Sequence, residues 1–376
     1  MVLLVGGGAA TLVMQRQSEA RLGREVESLR QRVAQLQEEN ESLSKASARS
    51  RWLRPPRLPV PAVEPSARTN AAPTEDAPSP HLYARLQEQV PKLTAEQVEA
   101  YLKANGRSAS GLLAGYRASG DMALLNEAME RYPNDPQVAF EAVIRRDLSP
   151  KQARGWLDAL KQAAPDNALA NYLSAREYFK AGQTDLGVQE LIAASGKPQF
   201  QDYTLARFQE DREACLAAGY SVGEASLGAL SWLEVPQLAQ CKQLAQETVA
   251  LAKSYAQAGD QPSAQAVLQM TVTLGQRYGN GPANPVLIGQ LVGAAIEKMA
   301  LHELDPGSPY DGNGGTVQDR INQLAQQRAT IRDLAKKSSA VLPTMSDQEI
   351  INYLNRRVLF GEVAAMQWAA GKQGAK

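Results

Sequence analysis

The chain is short of the residues that carry out chemistry and of those that hold polyanions. Its 376 residues include two histidines (His81 and His302), two cysteines (Cys215 and Cys241) and 6% aromatics, and 40 Lys+Arg are balanced by 40 Asp+Glu. A net charge of zero argues against a nucleic-acid binder, which needs a clustered excess of Lys and Arg to neutralise phosphate. Two cysteines are too few for a disulfide framework or for a thiolate metal site of the usual count. They read as small apolar helix residues, with pairing left open for an oxidising compartment. No cofactor, metal or catalytic residue is expected. Gly279-Asn280-Gly281-Pro282 is turn chemistry, with no strand before it and no Lys-Ser/Thr after it to cradle phosphate. The loop from Asp305 through Asp311 to Asn313 lacks the later bidentate Glu of a calcium loop. His302, in KMALHELDP, reads as a helix-end histidine, and His81 has no partner in view. With few aromatics, the 44% apolar content must build a core mainly from Ala, Leu and Val.

What is present falls into five segments. Residues 1–15 contain an uncharged run, Val2–Met14, which as a helix is roughly 20 Å long against a hydrocarbon core of about 30 Å. It lacks a basic n-region and a small-x-small cleavage site, so it reads as part of an uncleaved signal-anchor whose first residues are absent from this chain. Residues 16–49 carry Leu22, Val26, Leu29, Val33, Leu36, Asn40 and Leu43 at alternating steps of four and three. Leu at one heptad position and β-branched residues at the other favour a parallel dimer through residues 22–43, with Asn40 fixing register. A basic zipper is disfavoured, because an apolar segment rather than a basic helix lies upstream. Residues 50–80 form a linker. Positions 55–80 hold eight prolines and no aromatic, which points to an extended spacer.

From His81 the pattern is helix after helix, over residues 81–280 and then a C-terminal region, 281–376, that caps the array or fills its groove. Thr94/Gln97, Ser149/Gln152 with Pro150, Ser221/Glu224 and Ser346/Glu349 each place a hydroxyl three residues before a Glu or Gln, which marks a helix start. No stretch shows sustained period-two alternation, so the fold class is all-α.

A spacing is more informative than any reactive group. Ala175, Tyr178, Gly182 and Gly187 stand at offsets of three, four and five, and so do Ala252, Tyr255, Gly259 and Ala264. Leu113, Tyr116, Gly120 and Leu125 form a poorer copy. A small residue permits close helix approach, Tyr packs across the crossing, and Gly ends the first helix in a left-handed conformation. Tyr132-Pro133-Asn134-Asp135-Pro136 and Ala164-Pro165-Asp166-Asn167 echo each other 32 residues apart. These runs resemble tetratricopeptide (TPR) repeats over roughly 107–278, although the family's first-helix Trp and Leu-Gly pair are missing and Tyr178 and Tyr255 stand 77 residues apart.

The resemblance implies helical hairpins stacked as an α-solenoid with a right-handed superhelix, whose first helices line a groove for a protein or peptide. By position, that groove would show Arg117, Tyr172, Arg176, Phe179 and Lys180, then Gln246, Val249, Lys253 and Gln257. Aromatic and cationic side chains there suit an extended or acidic peptide. The expected function is a membrane-tethered, nonenzymatic scaffold, anchored in a bacterial inner membrane with the C-terminal domain on the outer, periplasmic side. Charge leaves the side open, because Arg16, Arg21 and Arg24 follow the apolar run. Two alternatives remain: an envelope hydrolase with a cleft near Asp305–Asp319 and His302, and a structural coiled-coil spacer.

Overall fold

Among the described residues the chain is a succession of helices, several of them started by side-chain caps and stopped by glycine. The computed structural model describes Tyr83 and residues 91–144, 148–279, 286–310 and 315–372. The expected anchor (1–15), coil (16–49), linker (50–80) and His81 lie outside the described residues. The helices are α1 (Ala95–Ala104), α2 (Ala109–Ser119), α3 (Met122–Arg131), α4 (Pro136–Ile144), α5 (Pro150–Ala163), α6 (Leu169–Lys180), α7 (Thr184–Ser195) and α8 (Thr204–Ala217). They continue as α9 (Val222–Trp232), α10 (Pro236–Gln257), α11 (Gln261–Gly279), α12 (Leu287–Leu301), α13 (Val317–Val341), α14 (Asp347–Phe360) and α15 (Glu362–Gly371). No strand occurs among the described residues, and the only bridges are the isolated pairs Asn167–Gln199 and Pro309–Thr316. The all-α expectation therefore holds.

All four start signals read from the sequence are reciprocal capping boxes, at Thr94, Ser149, Ser221 and Ser346. A fifth is Thr316 with Asp319, an acid one methylene shorter than the usual Glu. The echo 32 residues apart also marks helix starts. Asp135 Oδ1 accepts from the amides of Gln137 and Val138 at the head of α4, and Asn167 Oδ1 accepts from Leu169 N at the head of α6.

The hairpin spacing has a common local cause in α6/α7 and α10/α11. Gly182 and Gly259 adopt φ of 71° and 84°, and the amides after them, Gln183 N and Asp260 N, donate to Tyr178 O and Tyr255 O at 2.9 Å. Each bond satisfies a terminal carbonyl that a continuing helix would have used, so both chains reverse in the same way. Ala175 and Ala252 are both buried. The tyrosine rings have different neighbours. Arg154 of α5 covers Tyr178 with its guanidinium 3.7 Å from the ring centroid, whereas Tyr255 packs into an apolar cluster with Ala252, Ala264 and Leu268. In α6/α7 it is Phe179 that lies over Gly187, close enough that a β-carbon there would sit 2.9 Å from the ring.

These two hairpins are neighbours: α6 packs on α10, and α7 on α11. The hairpin between them in sequence, α8/α9, leaves that row. It turns back so that α8 packs on α1 and α2, while α9 reaches α14. This excursion accounts for the long spacing between Tyr178 and Tyr255. One apolar core, with Phe140, Leu157, Tyr172, Leu244, Tyr278 and Ile296, runs through α4–α7 and α10–α12. A second joins α1–α4 to α8 and α9. Two more lie under α13, one against α10–α12 and one with α14, α15, α9 and Tyr83. Cys215 and Cys241 are free and buried in different cores, and burial pushes both thiols up to about 12.

Candidate partner-binding site

The residues expected to line one groove occupy four different environments. Two are interior. The Arg117 side chain is 3% exposed, and it donates from Nε to Asp211 Oδ1, from Nη1 to Glu141 Oε1 and from Nη2 to Glu210 Oε2, each at 2.8 Å. Tyr172 is fully buried, edge-on to Phe200. Arg176 ties α6 to α10, donating to Gln243 Oε1 at 2.8 Å and pairing with Glu177 at 2.7 Å, while exposed Lys180 pairs with the same glutamate at 3.3 Å. Phe179 packs on Gly187. Gln246, Val249 and Lys253 line a shallow hollow with Met299, His302 and Glu303, where Lys253 and Glu303 meet at 3.0 Å, and Gln257 is exposed at the end of α10.

Two concavities are better formed. The first, of about 780 Å³, is lined by Tyr116, Arg117, Glu141, Arg207, Trp232 and Glu234 among others. Its floor is a buried charge network, in which Arg207 Nε lies 2.8 Å from Glu141 Oε1 and its Nη1 donates to Glu234 O at 2.7 Å. Burial pushes the Asp211 carboxyl up to about 6 against the opposing pull of Arg117, and raises Glu210 for the same reason. The charges here are spent on one another, so the network positions α8 against α2 and α4.

The second lies where α10, α12 and α13 meet. The sequence of α13 asks one helix to serve two cores: Val317, Ile321 and Leu324 pack on the α10–α12 side, and Val341 on the α14–α15 side. Between them the helical stripe carries Arg328, where a further apolar residue would have closed the seam. The result is a groove of about 330 Å³ with an apolar wall of Leu291, Ala294, Ala295, Leu324, Ala325 and Ile331. Lys242 of α10, Lys298 of α12 and Arg328 of α13 stand around it with Gln290 and Gln327, and among the described residues no carboxylate lines it. None of the three cations has an ion-pair partner among the described residues.

The walls of this groove are fixed by backbone contact and by one buried ion pair. At the α11/α12 crossing, a β-carbon on Gly293 would lie 2.6 Å from Gly275 O and from Gly279 N, so only hydrogen fits there. One turn further along α12, buried Glu297 accepts from Arg320 Nε at 2.7 Å and Nη2 at 2.9 Å, and from the Tyr310 hydroxyl, which in turn accepts from Gln276. Desolvation and the adjacent Glu297 push Tyr310 up to about 12.

No protein-family model, curated protein or solved structure matches the chain.

The stretch read as an alternative hydrolase cleft, Asp305–Asp319, contributes Tyr310 to this latch and Asp319 to the Thr316 cap. His302 is exposed, and among the described residues no hydrogen bond or ion pair joins its side chain to a carboxylate. Lys242, Lys298 and Arg328 were not anticipated from sequence. Arg328 carries a readable signal, a cation on the apolar stripe of a strongly capped helix. Lys242 and Lys298 carry none, because their neighbourhood depends on how α10, α12 and α13 are brought together.

Proposed function

We propose that the protein is a nonenzymatic scaffold that holds a protein partner against its helical hairpins and is tethered to a membrane by its N-terminal segment. The observation that carries the reading is the groove between α10, α12 and α13. It is an apolar wall left open beside three cations that have no ion-pair partner among the described residues. Helix-lined grooves of this kind take a partner segment through a few apolar anchors and use charge to select it. The TPR-like solenoid, with a right-handed superhelix, is supported by the matching turns of α6/α7 and α10/α11 and by their adjacency. The tether is supported by the apolar run Val2–Met14 and the proline-rich spacer after it. Among the described residues no helix is long and apolar enough to cross a membrane.

The test is site-specific photo-cross-linking in cells with the full chain. A photoreactive residue at Ala325 or Ala295 gives a discrete adduct under this reading, and one at exposed Lys336 on the same helix gives none. Equal labelling at all three positions, or adducts at none, contradicts it. Release of the chain from the membrane fraction on deleting residues 1–15 tests the tether separately.

A further inference from the structure

We infer that the groove between α10, α12 and α13 receives an acidic, amphipathic helical segment of the partner. This rests on the scaffold reading above and names the chemistry of what is held. Leu324 and Ile331 stand seven residues apart on one wall, so the apolar floor runs for roughly 10 Å, two turns of a helix. Two turns present side chains at i, i+3 or i+4, and i+7, and a volume of about 330 Å³ accommodates a few aliphatic side chains rather than a whole domain face. Among the described residues, the charge lining that floor has one sign. Lys242, Lys298 and Arg328 come from three different helices, and Glu297, the buried carboxylate next to Lys298 in sequence, is committed to Arg320 and Tyr310.

That distribution also decides between two sources of negative charge. An anionic lipid headgroup concentrates its charge at one point and makes no use of an apolar floor matched to the spacing of helical side chains. Carboxylates flanking the apolar face of a helix would meet cations that three separate helices bring to the same floor. A partner helix with Leu or Ile on its buried face and Glu or Asp on both flanks satisfies the floor and all three cations together.

The experiment uses the full chain in nonionic detergent and two fluorescent synthetic peptides of about four turns. Both carry leucines at i, i+4, i+7 and i+11, flanked by Glu in one and by Lys in the other. The glutamate peptide is expected to raise the anisotropy and the lysine peptide is not. The three cations are solvent-accessible and outside every core, so Lys242→Glu/Lys298→Glu/Arg328→Glu keeps the native melting profile. It is expected to weaken the glutamate peptide by roughly tenfold or more and to admit the lysine peptide. Ala325→Trp, which fills the groove, abolishes binding of the glutamate peptide. If the two peptides bind equally and both are lost in Ala325→Trp, the acidic preference is overturned while the groove reading stands. If neither binds but the Ala325 photo-adduct forms, the helical peptide is the wrong occupant. If neither binds and no adduct forms, both readings fail. Vesicles containing phosphatidylglycerol that bind in place of the peptide and are lost in the triple variant overturn the inference in favour of lipid. Self-association with the same residue dependence overturns it in favour of a second copy.

Discussion

The crossing of α8 with α2 and α4 and the crossing of α11 with α12 are built from opposite materials. In the first, five charged side chains meet with Arg117 at the centre, and three of the five (Glu141, Arg207 and Asp211) are buried residues. In the second, Gly275 and Gly293 remove side chains altogether so that backbones touch. Buried charge is costly unless every partner is in place, so it gives little stability but penalises wrong partners strongly. That suits α8, which must leave the row of hairpins and find α1 and α2 in preference to nearer neighbours. A glycine crossing sets distance, which suits α12, whose placement determines the width of the groove beside it.

That contrast predicts a hierarchy of effects. Arg117→Met strands Asp211, Glu141 and Glu210 without their shared cation and should cost about 3–5 kcal/mol in urea unfolding. The deficit should shrink as pH is lowered toward 5. The carboxyl of Asp211 already titrates near 6 in the native state, above its ordinary 3.8, so the folded protein binds more protons than the unfolded chain across that window. Its contribution to stability is present below about 3.8 and lost as pH rises through about 6. A deficit that does not change with pH would show that the network is not what holds α8. Gly293→Ala should cost about 3 kcal/mol, with no such pH dependence, because the two helices must separate. An Ala variant of native stability would mean the crossing is looser than described.

Smaller effects sharpen a second comparison, between the α6/α7 and α10/α11 turns. Gly182→Ala and Gly259→Ala should each cost about 1 kcal/mol, because both glycines hold a left-handed conformation. Unequal values, read from chemical denaturation, would break the equivalence of the two hairpins. Lys180→Ala and Lys253→Ala remove exposed ion pairs and should change stability by no more than about 0.5 kcal/mol.

Much of the framework was readable because its causes are local. The capping boxes at Thr94, Ser149, Ser221 and Ser346 need only a hydroxyl and an acid or amide three residues on. The Gly182 and Gly259 turns need only a residue that tolerates positive φ. What sequence could not supply was the partner of each exposed-looking cation. The resemblance of its hairpin to the others points Arg117 toward a groove. Its true neighbours, Glu141, Glu210 and Asp211, lie as far as 94 residues away and come together only through the α8/α9 excursion. Tyr172 is a similar case: it is buried, and the ring that meets it, Phe200, belongs to the loop after α7. Arg328 was the reverse case. Its position on the α13 stripe was visible, but a gap in a seam has meaning only once the facing helix is known.

The claim on which the rest depends is that α6 and α10 lie side by side, with the intervening hairpin displaced. Cross-linking of Arg176→Cys with Gln243→Cys by a short bis-maleimide tests it directly, since the tips of the two long native side chains meet at 2.8 Å, the linker bridges the gap left when both are shortened to cysteine, and the native thiols are buried. Rapid formation of the 176–243 cross-link, in a protein with native helical content and melting, is the predicted result. Failure to form that cross-link in an equally well-folded protein would contradict the account.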